Sequence, residues 1–296
     1  MTTVVGSWKW AEPPVYIEET TAGTCPGNPA TKWIGAIQSF GWNETADAFS
    51  IPQAATPEAR ETLPGIKGYD VSIEYVPSDT DFAKYGVNAP NGTGTIAKTI
   101  SILGQMPVSG VTEYFLGVNA VHKKFSMKYT HGKEVRFTSN LLALTSAGTG
   151  FWSTSDPIGT GSWAADSGAE TAPSYSFDSG GDTPIVIGAY SPNLLDFTCD
   201  IDWGTKATTS GGSHEPWAID YTTKKITGSF TAYWVDLNYL GLLANQTSSD
   251  IVWTLKTDGD TLTLADAILT KVGVDIPLGD AVAQKFSFVA NSAVLT

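Results

Sequence analysis

In residues 194–204, LLDFTCDIDWG, the carboxylates Asp196, Asp200 and Asp202 share alternate positions with Thr198. Phe197, Cys199, Ile201 and Trp203 fill the positions between them. Carboxylates in such a row can donate or accept protons, hold a cation or repel an anion. Acid–base work needs a second titratable group facing the first. Here every acidic cluster sits on alternating strand positions without a partner acid or base. Two readings remain: an ordinary solvated strand face, or a surface that must not bind a polyanion. Asp70 and Glu74 take the outward positions of YDVSIEY, so the acidity is not confined to one stretch.

Other reactive residue types are sparse. His122, His131 and His214 show no metal-ligand spacing and read as exposed or turn histidines. G-x-S-x-G, P-loop and H-E-x-x-H motifs are absent, and no cysteine pair has metal or redox spacing. Asp258-Gly259-Asp260 is a tight turn between strands rather than half a calcium loop, because the downstream Glu is missing. Cys25 and Cys199 lie far apart, and two such cysteines are more often separate thiols than a pair. No catalytic residue, cofactor or metal is expected, and the chain does not read as an enzyme.

Seventeen basic against thirty acidic side chains give a net charge of −13. A groove that grips nucleic acid needs clustered Lys and Arg, so the balance argues against one, though not against a surface past which a polyanion slides. The N-terminus lacks a basic segment followed by an apolar run, so no signal peptide is expected. No window approaches the roughly 18 uninterrupted apolar residues of a transmembrane helix. A soluble protein folding in a cytosol is expected.

The elements that position these residues read as strands. With 30 Gly, 16 Pro and 16% charged residues, the chain is turn-rich and poor in helix formers, so it leans to mostly β. Residues 1–30 read as an extended arm. Strand signals begin at Trp33 with WIGAIQSFGWN, and a loop of about twenty residues follows over Ala46–Gly65. Tyr69, Val71, Ile73 and Tyr75 then alternate with Asp70, Ser72 and Glu74. PSDTDF starts a short helix that Ser78 or Asp79 can cap. FSMKY–THG–KEVRF is a hairpin turning at His131-Gly132. Residues 146–182 form a Gly/Ser-rich connector.

After that connector the order of elements starts again. VSIEYVPSDTDF (71–82) matches GSFTAYWVDLNY (228–239), placing Ser72 on Ser229, Ile73 on Phe230, Asp79 on Asp236 and Phe82 on Tyr239. SFGWN matches DIDWG with Trp42 on Trp203, which makes the second of the following loops the shorter. FSMKYTHGKEV (125–135) matches VGVDIPLGDAV (272–282). In the second copy Asp236 can cap the helix, and Val235 can pack on Leu240 as a staple. Tyr239, Leu240 and Leu243 then form the stripe facing the sheet. The expectation is two tandem β-sandwich or partial-barrel domains, 31–145 and 183–296, each with one short packed α-helix. Ten tryptophans suggest an alternative, a two-domain glycan- or cell-surface-binding module. However, Trp42, Trp203, Trp234 and Trp253 all pattern as core.

The ordering of these motifs resembles the tail tube (major tail) proteins of tailed phages and related archaeal viruses. GAIQSFGWNE, KGYDVSIEYVPSDTDF and YFLGVNAVHKKFSMKYTHGKEVRFTSNLLA carry the resemblance in the first half. LLDFTCDIDWG, KKITGSFTAYWVDLNYLGLLAN and AILTKVGVDIPLGDAVAQKFSFVAN carry it in the second. It implies a structural virion protein of the tail, assembled in the host cytoplasm, whose rings stack into a tube that passes genomic DNA. Two tube domains per chain imply a homotrimer with pseudo-sixfold symmetry. The implied partners are further copies of itself, the terminator, tip or baseplate and tape-measure proteins, and double-stranded DNA passing without specific binding; no membrane is involved. On this reading Asp70, Glu74, Asp196, Asp200 and Asp202 line an acidic lumen. Phe49, Ile51 and Leu63 in the long loop contact the adjacent ring.

Overall fold

The computed structural model describes residues 15–20, 35–52, 59–77, 80–88, 99–108, 111–144, 152–153, 155, 185–209, 214–233, 238–255, 260–275 and 282–296. In chain order these form β1 (Val15–Thr20), β2 (Gly35–Pro52), β3 (Ala59–Pro77), α1 (Asp81–Val87), β4 (Thr99–Val108) and β5 (Val111–Thr130). Next come β6 (Arg136–Leu144), β7 (Trp152–Ser153), β8 (Ile185–Ile187), β9 (Leu194–Asp202), β10 (Lys206–Thr209) and β11 (Pro216–Asp220). The last are β12 (Lys225–Tyr233), α2 (Asn238–Ala244), β13 (Ser249–Thr254), β14 (Thr261–Asp275), β15 (Ala283–Ala290) and β16 (Ser292–Leu295). The fold is mostly β, as the composition implies.

The chain divides into two compact units. The first takes Met1–Lys32, Lys98–Ala120 and Ala143–Ala169. In it β1 runs antiparallel to β4, from Val15 opposite Gly104 to Thr20 opposite Thr99. The first half of β5 pairs with β4, and β7 adds Trp152 opposite Phe115. The described part of the N-terminal arm is thus a strand of this unit.

The second unit takes Trp33–Ala97, Val121–Leu142 and Glu170–Thr296. Its main sheet has the order β2-β3-β6-β5-β9-β12-β15-β14. Alternation, interrupted at a few register shifts, gives it one apolar and one polar face. On the apolar face Tyr69, Val71, Ile73, Phe125, Phe137, Phe197, Ile201, Phe230 and Phe286 are buried. Their rings interlock: Phe230 stacks on Phe286 at 4.7 Å, and Phe125 meets Phe137 edge-on at 5.5 Å. β14 is long enough to serve two sheets. Ile268–Asp275 pair with β15, while Thr261–Ala267 pair with β13 and β16. Trp253 of β13 reaches the main core at 4.7 Å from the Phe197 ring, which makes this end a two-layer sandwich.

Both helices cover that core. Phe82, Ala83 and Val87 of α1 are buried, and Phe82 lies 5.7 Å from the Tyr75 ring. A Cβ on Gly86 would come within 2.6 Å of Phe125, so the helix approaches β5 as closely as a glycine permits. In α2, Tyr239 is buried against Phe230 and Phe286, with Leu240 and Leu243 half-buried behind it. Thr80 stands at the N-cap of α1 without a side-chain capping bond. Ser78, Asp79, Trp234, Val235 and Asp236 lie outside the described residues. The C-terminus of α1 is held instead. Trp203 donates its indole N–H to Gly86 O at 2.8 Å, and Lys224 donates to Val87 O at 2.5 Å. These bonds satisfy carbonyls that a helix end leaves open, and a cation there suits the helix dipole. Lys224 also lies 4.3 Å from the Trp203 ring centroid, and burial lowers its pKa to about 8.

The expected hairpin at His131-Gly132 is present, with Gly132 at φ 75° and Lys133 N–H donating to Thr130 O. The expected loop over Ala46–Gly65 is corrected. β2 and β3 continue through it as one ladder, with Phe49 opposite Leu63 and Ile51 opposite Glu61. The equivalence of Trp42 with Trp203 is also corrected. A shift of 157 residues carries Phe40↔Ile73 and Trp42↔Val71 onto Phe197↔Phe230 and Cys199↔Gly228. Trp42 therefore corresponds to Cys199, and the two intervening segments have equal length. The same shift carries α1 onto α2.

Candidate functional site

The five carboxylates singled out in the sequence lie on the polar face of the main sheet, two on β3 and three on β9, with β6 and β5 between. On β9, Asp196 stands between Thr130 and Thr231, Asp200 between Ser126 and Thr227, and Asp202 between Lys124 and Lys225. On β3, Asp70 is opposite Asn43 and Glu74 opposite Ser39. The alternation that buries Tyr69 and Ile201 turns these acids to the other side.

Periodicity could not reveal what stands beside them. Lys124 lies 3.4 Å from Asp200, Lys123 lies 3.3 Å from Asp70, and Arg136 lies 3.2 Å from Glu74. Ser126 also donates to Asp200, and Asp202 accepts the Gly204 N–H at 2.8 Å. Lys128, Lys225, Lys271 and Lys285 occupy the same rows, opposite Thr198, Asp202, Ser287 and Thr231. Among the described residues this face therefore carries charges of both signs. Pairs this exposed contribute about 0–1 kcal/mol each, so they shape the field of the face more than the stability of the fold. A shallow hollow in this face, about 490 Å³, is lined by Asp70, Lys123, Lys124, Asn140 and Asp202 among others.

The second feature is the β2–β3 ladder that replaces the expected loop. Its base is gripped by the segment leading into β11. Lys67 donates its backbone N–H to His214 O, and the His214 ring lies 3.1 Å from Gly65 O. Lys67 Nζ lies 2.8 Å from Glu215 and 3.6 Å from Glu44, while Tyr69 donates its hydroxyl to Glu215 at 2.5 Å. Burial alone would push the Glu215 carboxyl up, but the bonds from Lys67 and Tyr69 hold it below the usual range. Hydrogen bonding to Glu215 raises the Lys67 ammonium correspondingly. Leu63 is half-buried on this ladder, while the side chains of Phe49 and Ile51 lie outside the described residues.

The histidines do three different things. His122 is 2% exposed, against the expectation of a surface or turn residue. It meets Phe125 edge-on at 5.6 Å and lies 3.2 Å from Ser139 Oγ. Burial lowers its pKa to about 3. His131 is at the exposed hairpin turn and His214 is in the brace. Cys199 is buried and free, its thiol pushed up by desolvation; Cys25 lies outside the described residues. Among the described residues no group of three or more His, Cys, Asp or Glu could hold a metal ion. Trp203 and Trp253 are buried, and Trp217 on β11 is 65% exposed.

The family model of the phage tail tube protein matches residues 15–290, and the chain belongs to that family. It is a structural component of a virion tail. No curated protein matches the chain. Among solved structures, a chain described as the tail of an empty gene transfer agent particle, computed with helical refinement in C6 symmetry, is similar at a TM-score of 0.31 and 10% identity. That likeness covers 36% of this chain and 83% of the other.

Proposed function

We propose that three copies close into a ring, that rings stack into the tail tube, and that genomic DNA passes through the tube with the polar sheet face as its wall. The observation that carries this is the internal repetition. One shift of 157 residues superposes the register of β2–β3 on that of β9–β12, and α1 on α2. Two tube domains, 31–145 and 183–296, joined by residues 146–182 and preceded by the arm 1–30, then give six domains from three chains. A head-to-tail contact that repeats at every domain closes into a ring when each step turns by one sixth of a circle. Assembly takes place in the host cytoplasm, with terminator, tip and tape-measure proteins as the tail partners.

Charges of both signs suit the wall of such a channel. Asp70, Glu74, Asp196, Asp200 and Asp202 repel phosphates, and the neighbouring lysines keep that repulsion local. Beyond a Debye length of ~8–10 Å a balanced face offers duplex DNA little attraction or repulsion. The β2–β3 ladder with Phe49, Ile51 and Leu63 reaches the adjacent ring, its angle set by the His214–Glu215 brace.

Negative-stain microscopy with native mass measurement tests this. Rings with a central hole and a mass three times 31.3 kDa are expected. A six-chain ring overturns the trimer, and featureless monomers overturn the tube assembly. Deleting residues 47–64 should leave rings that do not polymerise; intact tubes would remove the ladder from the ring-to-ring contact.

A further inference from the structure

The main sheet contains one junction between its two halves and has two ends. At the junction β5 pairs antiparallel with β9, from Lys124 opposite Asp202 to Thr130 opposite Asp196. At one end β2 has β3 as its strand partner. At the other, the Ile268–Asp275 stretch of β14 pairs with β15 on one side, and among the described residues no strand lies on its other side. Open ladders of this kind are templates for pairing with another chain.

The two ends are copies of the two strands at the junction. β2 corresponds to β9 by the shift of 157. β14 corresponds to β5 by a shift of 147, and two contacts fix it. β15 is set on β6 by a shift of 149, which carries Phe137 onto Phe286 and Ser139 onto Phe288. Val272 then stands opposite Phe286 as the Phe125 ring meets Phe137, and Leu269 opposite Phe288 as His122 meets Ser139. In β14 a register shift separates these two positions, between Leu269 and Lys271.

We propose that β14 of one copy pairs antiparallel with β2 of the next in the register of the internal junction, placing Gly273 opposite Asn43. This rests on the ring reading and adds its contact residues. The same transfer sets Lys271 opposite Thr45, Val274 opposite Trp42 and Asp275 opposite Gly41. Val274 is 43% exposed and Trp42 half-buried in the single chain, and the pairing covers both on the apolar face. No like charges oppose each other on the polar face. A slip of one residue would turn Val274 away from Trp42 and set it among the polar rows, while a slip of two keeps the faces; the pairing at the internal junction selects between the even registers.

The test is a disulfide between copies, made with Asn43→Cys and Gly273→Cys in a Cys25→Ser chain. A Cβ at Gly273 finds no heavy atom closer than Lys285 O at 3.9 Å, and Asn43 is exposed. Cys199 stays in place because it is buried. Oxidised assemblies should give a covalent ladder of dimers and trimers on non-reducing gels. Each single variant, and Gly273→Cys combined with Gly41→Cys or Thr45→Cys, should give at least tenfold less. Rings that form without the 43–273 bond, or that link through an off-register pair, overturn this register and leave the tube reading standing. A chain that stays monomeric overturns both.

Discussion

Acidification offers a quantitative probe of the core through His122. Its ring is buried among Phe82, Phe125 and Ser139, and its pKa falls from 6.5 to about 3 by desolvation. The folded chain therefore keeps this imidazole neutral between those two values, while the unfolded chain protonates it. Where the unfolded state binds more protons, stability falls as pH falls. The contribution of a neutral His122 is intact above about pH 6.5 and is lost progressively down to about pH 3. At 1.36 kcal/mol per pH unit the loss is about 2 kcal/mol near pH 5 and approaches about 5 kcal/mol below pH 3. The assay is urea unfolding of dilute, unassembled protein at about pH 7.5 and about pH 5. His122→Leu is the control, since Leu269 occupies the corresponding place in β14. The variant leaves Ser139 Oγ without this partner, a pH-independent cost of about 1 kcal/mol, so it is expected to be weaker than wild type by about that much at about pH 7.5. The readout is thus the change with pH. Wild type should lose about 2 kcal/mol more than His122→Leu on going to pH 5. Equal losses in the two proteins would refute the burial argument.

Other substitutions probe the helix and the polar face. Gly86→Ala places a Cβ 2.6 Å from Phe125 and should destabilise by about 1–3 kcal/mol, read as a lower thermal midpoint. Trp203→Phe keeps the ring but removes the donor to Gly86 O, and should cost about 1–3 kcal/mol in urea. Asp200→Asn breaks an exposed pair with Lys124 and should shift stability by less than about 1 kcal/mol. Replacing Asp200 and Asp202 together by Lys should make assembled tubes retain labelled duplex DNA, with retention falling as salt rises. Unchanged retention would remove these residues from the channel wall.

Much of the architecture could be read from local pattern. Alternation of apolar and polar residues depends only on neighbours in sequence, so it placed Asp70, Glu74, Asp196, Asp200 and Asp202 opposite the buried set. The hairpin at His131-Gly132 and the two short helices were legible from local sequence as well. The Ala46–Gly65 stretch was not, because its prolines and polar residues hide a ladder that depends on its partner across the hairpin. His122 misled because histidine is amphipathic, and its burial depends on Phe82, forty residues earlier in the chain.

By itself the sequence determined which side of the main strands faces the core and that the chain is mostly β. Side-chain periodicity is a property of the extended backbone. Only the tertiary structure decided what stands across each strand. It set Lys124 beside Asp200 and Arg136 beside Glu74, so the acids stand among cations that local pattern does not place there. It also matched Trp42 to Cys199 rather than Trp203, and gave Trp203 the task of closing α1. Register between strands and the capture of a helix end arise from long-range pairing, which local pattern does not encode.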